Sequence, residues 1–206
     1  MASMQDIQAA LSGFPRVLAW TNFHPVPNSP MPPHQALTSA GWAWTHSGVH
    51  LVNGEYRVNN PRVTVSLNHA SWATPAAVAS ATLLVHEQGH YDISGLVARD
   101  VVQQLLDWSL DATVAAAARG SGNNAQQHLH HATAEATRDI NRFVAEANAL
   151  MVRLQTNPVT LAAGLYDVQT NHSLNTASQA AWNTRFTRLK TGNEMFLLWL
   201  AMEGVI

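Results

Sequence analysis

A chain of 206 residues with 47% apolar and only 12% charged residues is long and apolar enough to bury a substantial core, which excludes a disordered polypeptide. Its formal charge of -2, with ten arginines and the single Lys190, offers no basic block to neutralise phosphates and argues against a nucleic-acid partner. The absence of cysteine removes disulfides, thiolate catalysis and Cys-ligated zinc together, and leaves the compartment unassigned.

The opening "MASMQDIQAALSGFPRVLAW" lacks the charged n-region and long apolar core of a signal peptide. The late run "MFLLWLAM" is too short to cross a bilayer, so a soluble protein without membrane insertion is expected. Residues 1–37 read as an irregular arm, rich in proline and polar residues from 15 onward. Residues 38–70 read as a small, mostly antiparallel sheet. "GWAWTHSGVHLVNGEYRV" alternates, and Asn53-Gly54 between two β-prone runs is a strong hairpin signal. "RVTVSLN" follows as a third strand with Val63, Val65 and Leu67 on one face.

From residue 74 the period becomes helical. Thr74 suits an N-cap and Pro75 the first helical position, and the pattern runs to about residue 110. Gly120, Gly122 and Asn123-Asn124 break it. A second long helix is expected over 125–155, stopping before Asn157-Pro158, and a third over about 176–189. No repeat is visible. The expectation is one α+β domain over 1–206, a small antiparallel N-terminal sheet packed on long helices, with 74–206 mainly helical.

"LLVHEQGHYDI" carries the chemistry. On a helix, positions four apart are separated by about 40° and one turn of rise, so His86 and His90 can offer both imidazoles to one zinc ion. The row continues through Ile93, Val97 and Val101, which turns the histidines toward the interior. Glu87, about 100° from His86, stands beside the metal and not on it. That is where a general base would take a proton from a water and pass it to a leaving amine. Gly89 costs about 1 kcal/mol relative to alanine in a helix interior, which a close approach by another segment would explain. With eleven histidines and six glutamates, H-E-x-x-H would arise by chance in roughly 2% of such chains, so the string needs context.

Three blocks supply it. "LLVHEQGHYDISGLVARDV" resembles the central helix of the DUF922 family of bacterial zinc-dependent proteases. "LAWTNFHPVP" with "HQALTSAGWAW" upstream, and "YDVQTNHSLNTASQAAWNTRF" downstream, resemble two further blocks of that family in the same order, over about residues 18–187. Tyr91 stands where phenylalanine is more usual, and Ser173 where glycine is common. The resemblance implies a zincin-like fold, a bound Zn2+ and peptide-bond hydrolysis, and makes a secreted or periplasmic location compatible with the chain.

A catalytic zinc takes three protein ligands and keeps one open position. His172, in the polar "YDVQTNH" block that matches the family, is the expected third ligand. Glu135 and Glu146 on the second long helix are the acidic alternatives, and Asp92 reads as a packing residue within reach of Arg99. Tyr166, six residues before His172, could donate to an oxyanion, or could anchor the loop from the core. His128, His130 and His131 read as a polar helix face. Trp42, Trp44, Trp72 and Trp182 read as core, with Trp42 or Trp44 able to line a groove.

The function expected is a zinc metalloendopeptidase of the HExxH type acting on a protein or peptide substrate laid along a sheet edge, such as "RVTVSLN". The alternatives are a hydrolase or toxin dedicated to a single protein target, and a non-catalytic binding module stabilised by zinc.

Overall fold

A computed structural model describes residues 2–117, 124–155, 164–192, 194–202 and 204. In chain order its first elements are α1 (Met4–Ala10), β1 (Leu11–Ser12), β2 (His24–Pro25), β3 (Ala36–Leu37), β4 (Ala40–Thr45), β5 (Val49–Val52), β6 (Glu55–Val58), β7 (Arg62–Leu67) and β8 (Trp72–Ala73). The rest is α2 (Pro75–Val78), α3 (Ala81–Asp107), β9 (Ser109–Asp111), α4 (Ala112–Ala117), α5 (Ala125–Leu154), α6 (Leu165–Thr170), α7 (Thr176–Thr191) and α8 (Phe196–Met202). The class is α+β. No helix of the described residues is long and apolar enough to cross a membrane.

The molecule is built around α3. Every residue from Gly89 to Gln103 is buried, as expected of a helix packed on all sides. β4 and β7 cover one side, and α1, α5, α7 and α8 cover the others. The helical stretch expected over 75–110 is two helices. Ser80 turns extended and its hydroxyl accepts the N–H of Leu83, so α3 begins with its own cap. At the other end Trp108 leaves the helix, and Leu110 pairs with Tyr56 of β6 as part of a strand.

The strands form three small sheets, ordered β1-β7-β4, β2-β8-β3 and β5-β6-β9, in place of the single sheet expected. The Asn53-Gly54 hairpin is present, with both residues left-handed at φ 50° and 83°. β7, however, does not follow its sequence neighbour β6. Asn60, at φ 50°, turns the chain between them, and β7 pairs instead with β4 and β1. Val63 and Val65 face α3 and are buried, with Trp44 and Trp42 opposite them half-buried on the same face. The arm is less irregular than its composition suggests. Ser3 and Asp6 form a capping box that starts α1, which buries Ile7 and Ala10.

The expected helices at 125–155 and 176–189 appear as α5 and α7. Asn124 caps α5 by accepting the N–H of Gln127, and Ala132, Ala136, Ile140, Leu150 and Leu154 form its buried stripe. The breaks read at Gly120, Gly122, Asn123 and Asn157-Pro158 lie outside the described residues. His128 and His131 are half-buried on α5 and His130 is exposed.

Candidate metal centre

His86, Glu87 and His90 lie on the first turns of α3 that enter the core, and all three are buried. α6 and the turn after it close over them. From there Asp167, 2% exposed, brings its Oδ1 within 3.0 Å of His86 Nε2 and 3.0 Å of His90 Nε2. Ligand atoms about 2.0 Å from a tetrahedral zinc stand about 3.3 Å apart, so these two edges suit one small cation. Among the described residues, His86, His90 and Asp167 form a group able to hold a metal ion.

The hydrogen bonds behind His86 fix its tautomer. The Gln179 amide nitrogen donates to Asn183 Oδ1 at 3.0 Å and to the Tyr166 hydroxyl at 2.7 Å, which leaves Gln179 Oε1 facing His86 Nδ1 at 3.2 Å. Thr170 Oγ1 gives its proton to the Tyr166 carbonyl at 2.7 Å and so can only accept from His86 Nδ1, 3.3 Å away. Nδ1 therefore carries the proton, and a neutral His86 points a bare Nε2 at the Asp167 carboxylate. In that tautomer a cation between Nε2 and the carboxylate, 3.0 Å apart, satisfies both, whether it is a second proton or a metal ion. Holding the far nitrogen of a ligating histidine in this way is the usual support for a metal site.

The same geometry sets the charges. Burial favours neutral forms, yet the Asp167 carboxylate lifts the His90 pKa above its ordinary value. Burial would likewise raise Asp167, but His90, His172 and His86 hold it well below the usual carboxylate range. Glu87 is different. Its Oε2 is buried without a hydrogen-bond partner, the one such side-chain atom among the described residues. A cavity of about 470 Å³ opens here, lined among others by His86, Glu87, His90, Asp167 and His172.

His172, expected as the third ligand, stands to the side. Its Nδ1 is 3.4 Å from Asp167 Oδ1, its ring centroid is 6.0 Å from that of His86, and its side chain is 41% exposed. It lies outside the group of atoms close enough to share one ion. Asp167, five residues earlier, is the residue that joins the two histidines in that group, because α6 turns it inward while the following turn carries His172 to the cavity wall. Sequence reasoning missed Asp167, although it sits in the "YD" that opens the same block. Glu135 is tied to Arg138 and Glu146 is exposed, and neither lines the cavity.

Tyr166 is fully buried against α3. Its hydroxyl donates to the His86 carbonyl at 3.1 Å, and its ring stacks on the His86 imidazole with centroids 4.9 Å apart. This geometry does not suit the oxyanion donor considered from the sequence, because the proton is engaged away from the cavity. Burial first, then the neighbouring carboxylates, push its pKa well above that of a free tyrosine. Gly89 is explained by the same contact, since a Cβ there would lie 2.0 Å from the Tyr166 hydroxyl. Tyr166 thus anchors α6 to α3.

Two neighbours differ from expectation. Asp92 pairs with Lys190 at 2.7 Å and accepts from Gln88 at 3.0 Å, while Arg99 reaches the backbone around 189–194. Tyr91 has a use for the hydroxyl that phenylalanine lacks, donating to the Gly13 carbonyl at 2.6 Å and fastening the arm. Trp42 and Trp44 do not line the cavity. No protein-family model matches the chain, and neither a curated protein nor a solved structure does.

Proposed function

We propose that the chain is a zinc metalloendopeptidase of zincin-like architecture, with His86, His90 and Asp167 holding Zn2+ and Glu87 acting as general base. Membership of the DUF922 family is part of this proposal and rests on the three sequence blocks. The observation that carries the reading is the pairing of a bare His86 Nε2 with the Asp167 carboxylate at 3.0 Å, beside a buried Glu87 oxygen without a partner. Three donors that open on a cavity match a catalytic site, whereas a purely structural zinc is closed by a fourth protein ligand. A zinc ion held there would supply Lewis acidity and lower the pKa of a bound water.

The chain's own groups do the rest. Glu87, buried and unsatisfied, takes the proton of the attacking water and delivers it to the amine that leaves. Thr38 holds the helix there by donating to the Glu87 carbonyl at 3.2 Å, and Gln155 donates to the His90 carbonyl at 3.0 Å. His172 braces the Asp167 carboxylate from the cavity side. The peptide cannot lie along β7, which is flanked by β1 and β4 and lies away from the cavity. β3 lines the cavity and, among the described residues, pairs on one side with β8, so a substrate strand adds there.

Glu87→Gln tests the proposal. Zinc content and fold should persist while peptide hydrolysis falls by about 10²–10⁴-fold, because an amide accepts no proton. A variant that keeps more than about a tenth of wild-type turnover would remove Glu87 from the mechanism.

A further inference from the structure

We infer that the cavity beside His86 and His90 takes an uncharged, apolar side chain next to the scissile bond, so that the enzyme cuts within chains and does not trim charged termini. This deepens the peptidase reading and rests on it. The cavity is continuous with the site, since His86, Glu87, His90 and Asp167 form part of its wall. Whatever fills it therefore abuts the reacting atoms.

Outside the metal group its wall sets apolar side chains among neutral polar ones such as Thr38, Gln155 and Asn171, with the rings of His34 and His172. Met31, Leu37, Leu83 and Leu174 supply the large apolar surface, with Ala36 and Ala76 between them. No lysine or arginine is among the described lining residues. Away from the metal position, an acidic side chain or a terminal carboxylate would lose its water there and meet no lysine or arginine in return. A basic side chain or terminal amine would meet only Glu87 and Asp167. Asp167 is already held by the histidines, and a salt bridge to Glu87 would occupy the base. An apolar side chain loses nothing on entering and gains burial. At about 470 Å³ the cavity has room for such a side chain with its flanking backbone.

The rim points the same way. Asn171, His172 and Ser173 are consecutive left-handed residues, at φ 45°, 48° and 77°, and none is glycine. Such backbone persists only where its surroundings hold it, and it gathers at functional sites. Here Leu174 N–H donates to the Asn171 carbonyl at 3.0 Å and Asn175 N–H to that of Thr170 at 2.8 Å. The turn sets His172 against Asp167 and leaves Leu174 77% exposed at the cavity edge. A large apolar side chain held in water by strained backbone is covered when an apolar side chain enters beside it.

The test uses zinc-loaded protein and short peptides, blocked at both ends, that differ only at one position beside the cleaved bond. Peptides with Leu or Phe there should give kcat/KM at least about tenfold above those with Asp or Lys. Unblocking either terminus should bring no gain. Leu174→Lys should narrow or reverse the preference of Leu over Asp. Binding of the same peptides to zinc-loaded Glu87→Gln, by fluorescence polarisation, reads selection without hydrolysis. Cleavage with equal rates, a preference for charge or a need for a free terminus overturns this inference and leaves the peptidase reading standing. Selective binding without wild-type cleavage does the reverse. Neither binding nor cleavage overturns both.

Discussion

Two buried charged clusters lie on α3, a few turns apart, and they are finished differently. At Arg99 and Asp100 the groups are enclosed by the backbone that links α7 to α8. Arg99 donates to the carbonyls of Leu189, Gly192 and Glu194, and Asp100 accepts the N–H groups of Phe196 and Leu197 at 3.0 and 2.8 Å. Asp100 thereby caps a helix from a different part of the chain. At His86, Glu87 and His90 the partners come from α6 and α7, but the cluster stays incomplete. His86, His90 and Asp167 form a buried group able to hold a metal ion, and one Glu87 oxygen has no partner. Equal burial on one helix thus serves two ends. The satisfied cluster fastens the C-terminal helices, and the unsatisfied one is left able to hold an ion.

The largest effect that separates them is on metal content. Purified protein should carry about one zinc per chain, and Asp167→Ala, like His86→Ala or His90→Ala, should reduce this to a trace by elemental analysis. His172→Ala should keep most of the metal. Loss of zinc from His172→Ala with retention in Asp167→Ala would restore the ligand set expected from the sequence.

Arg99→Met should do the opposite. It strips Asp100 of its nearby cation, 3.8 Å away, and should cost about 3–5 kcal/mol in urea unfolding while the folded fraction keeps its zinc. An unchanged unfolding midpoint would mean that the latch is not what holds α8.

Asp100 also gives the latch a pH dependence. Burial pushes its pKa up to about 6 from 3.8, against the opposing pull of the Leu197 and Phe196 N–H groups and Arg99. The folded state therefore binds the proton more tightly than the unfolded chain. Its contribution favours folding below about pH 4 and is lost as pH rises toward 6, a difference of order 3 kcal/mol. Asp100→Asn should flatten that part of the stability profile between pH 4 and pH 7. A profile identical to wild type would assign the dependence to other groups.

The smallest effect sits at the join of α6 to α3. Tyr166→Phe removes the bond to the His86 carbonyl and leaves a Gln179 donor short of a partner, which should cost about 1–2 kcal/mol. The folded variant should retain zinc and near-wild-type turnover. A hundredfold fall in turnover at unchanged stability would return Tyr166 to the oxyanion role.

Local rules made much of this molecule legible before its structure. Asn124 starts α5, and Asn53-Gly54 makes its hairpin because both residues tolerate left-handed backbone. The four-residue spacing of His86 and His90 placed both on one side of a helix, because helical geometry needs only a few neighbouring residues. A close approach at Gly89 could also be expected from the residue alone, though the approaching group could not be named. Ser80 was legible in principle but was hidden inside a run of good helix formers.

What tertiary structure decided involves atoms far apart in the chain. Asp167 lies 81 residues from His86, and whether it or His172 reaches the centre depends on how α6 and the left-handed turn dock on α3. β7 pairs with β4 and β1, away from its sequence neighbour β6, because its buried valines must face α3. The lone lysine found Asp92, and Arg99 found the backbone before α8. Periodicity and capping arise within a turn or two, so sequence alone carries them. Ligand sets and buried ion pairs require long-range placement to within a fraction of an ångström, which only the packed molecule provides.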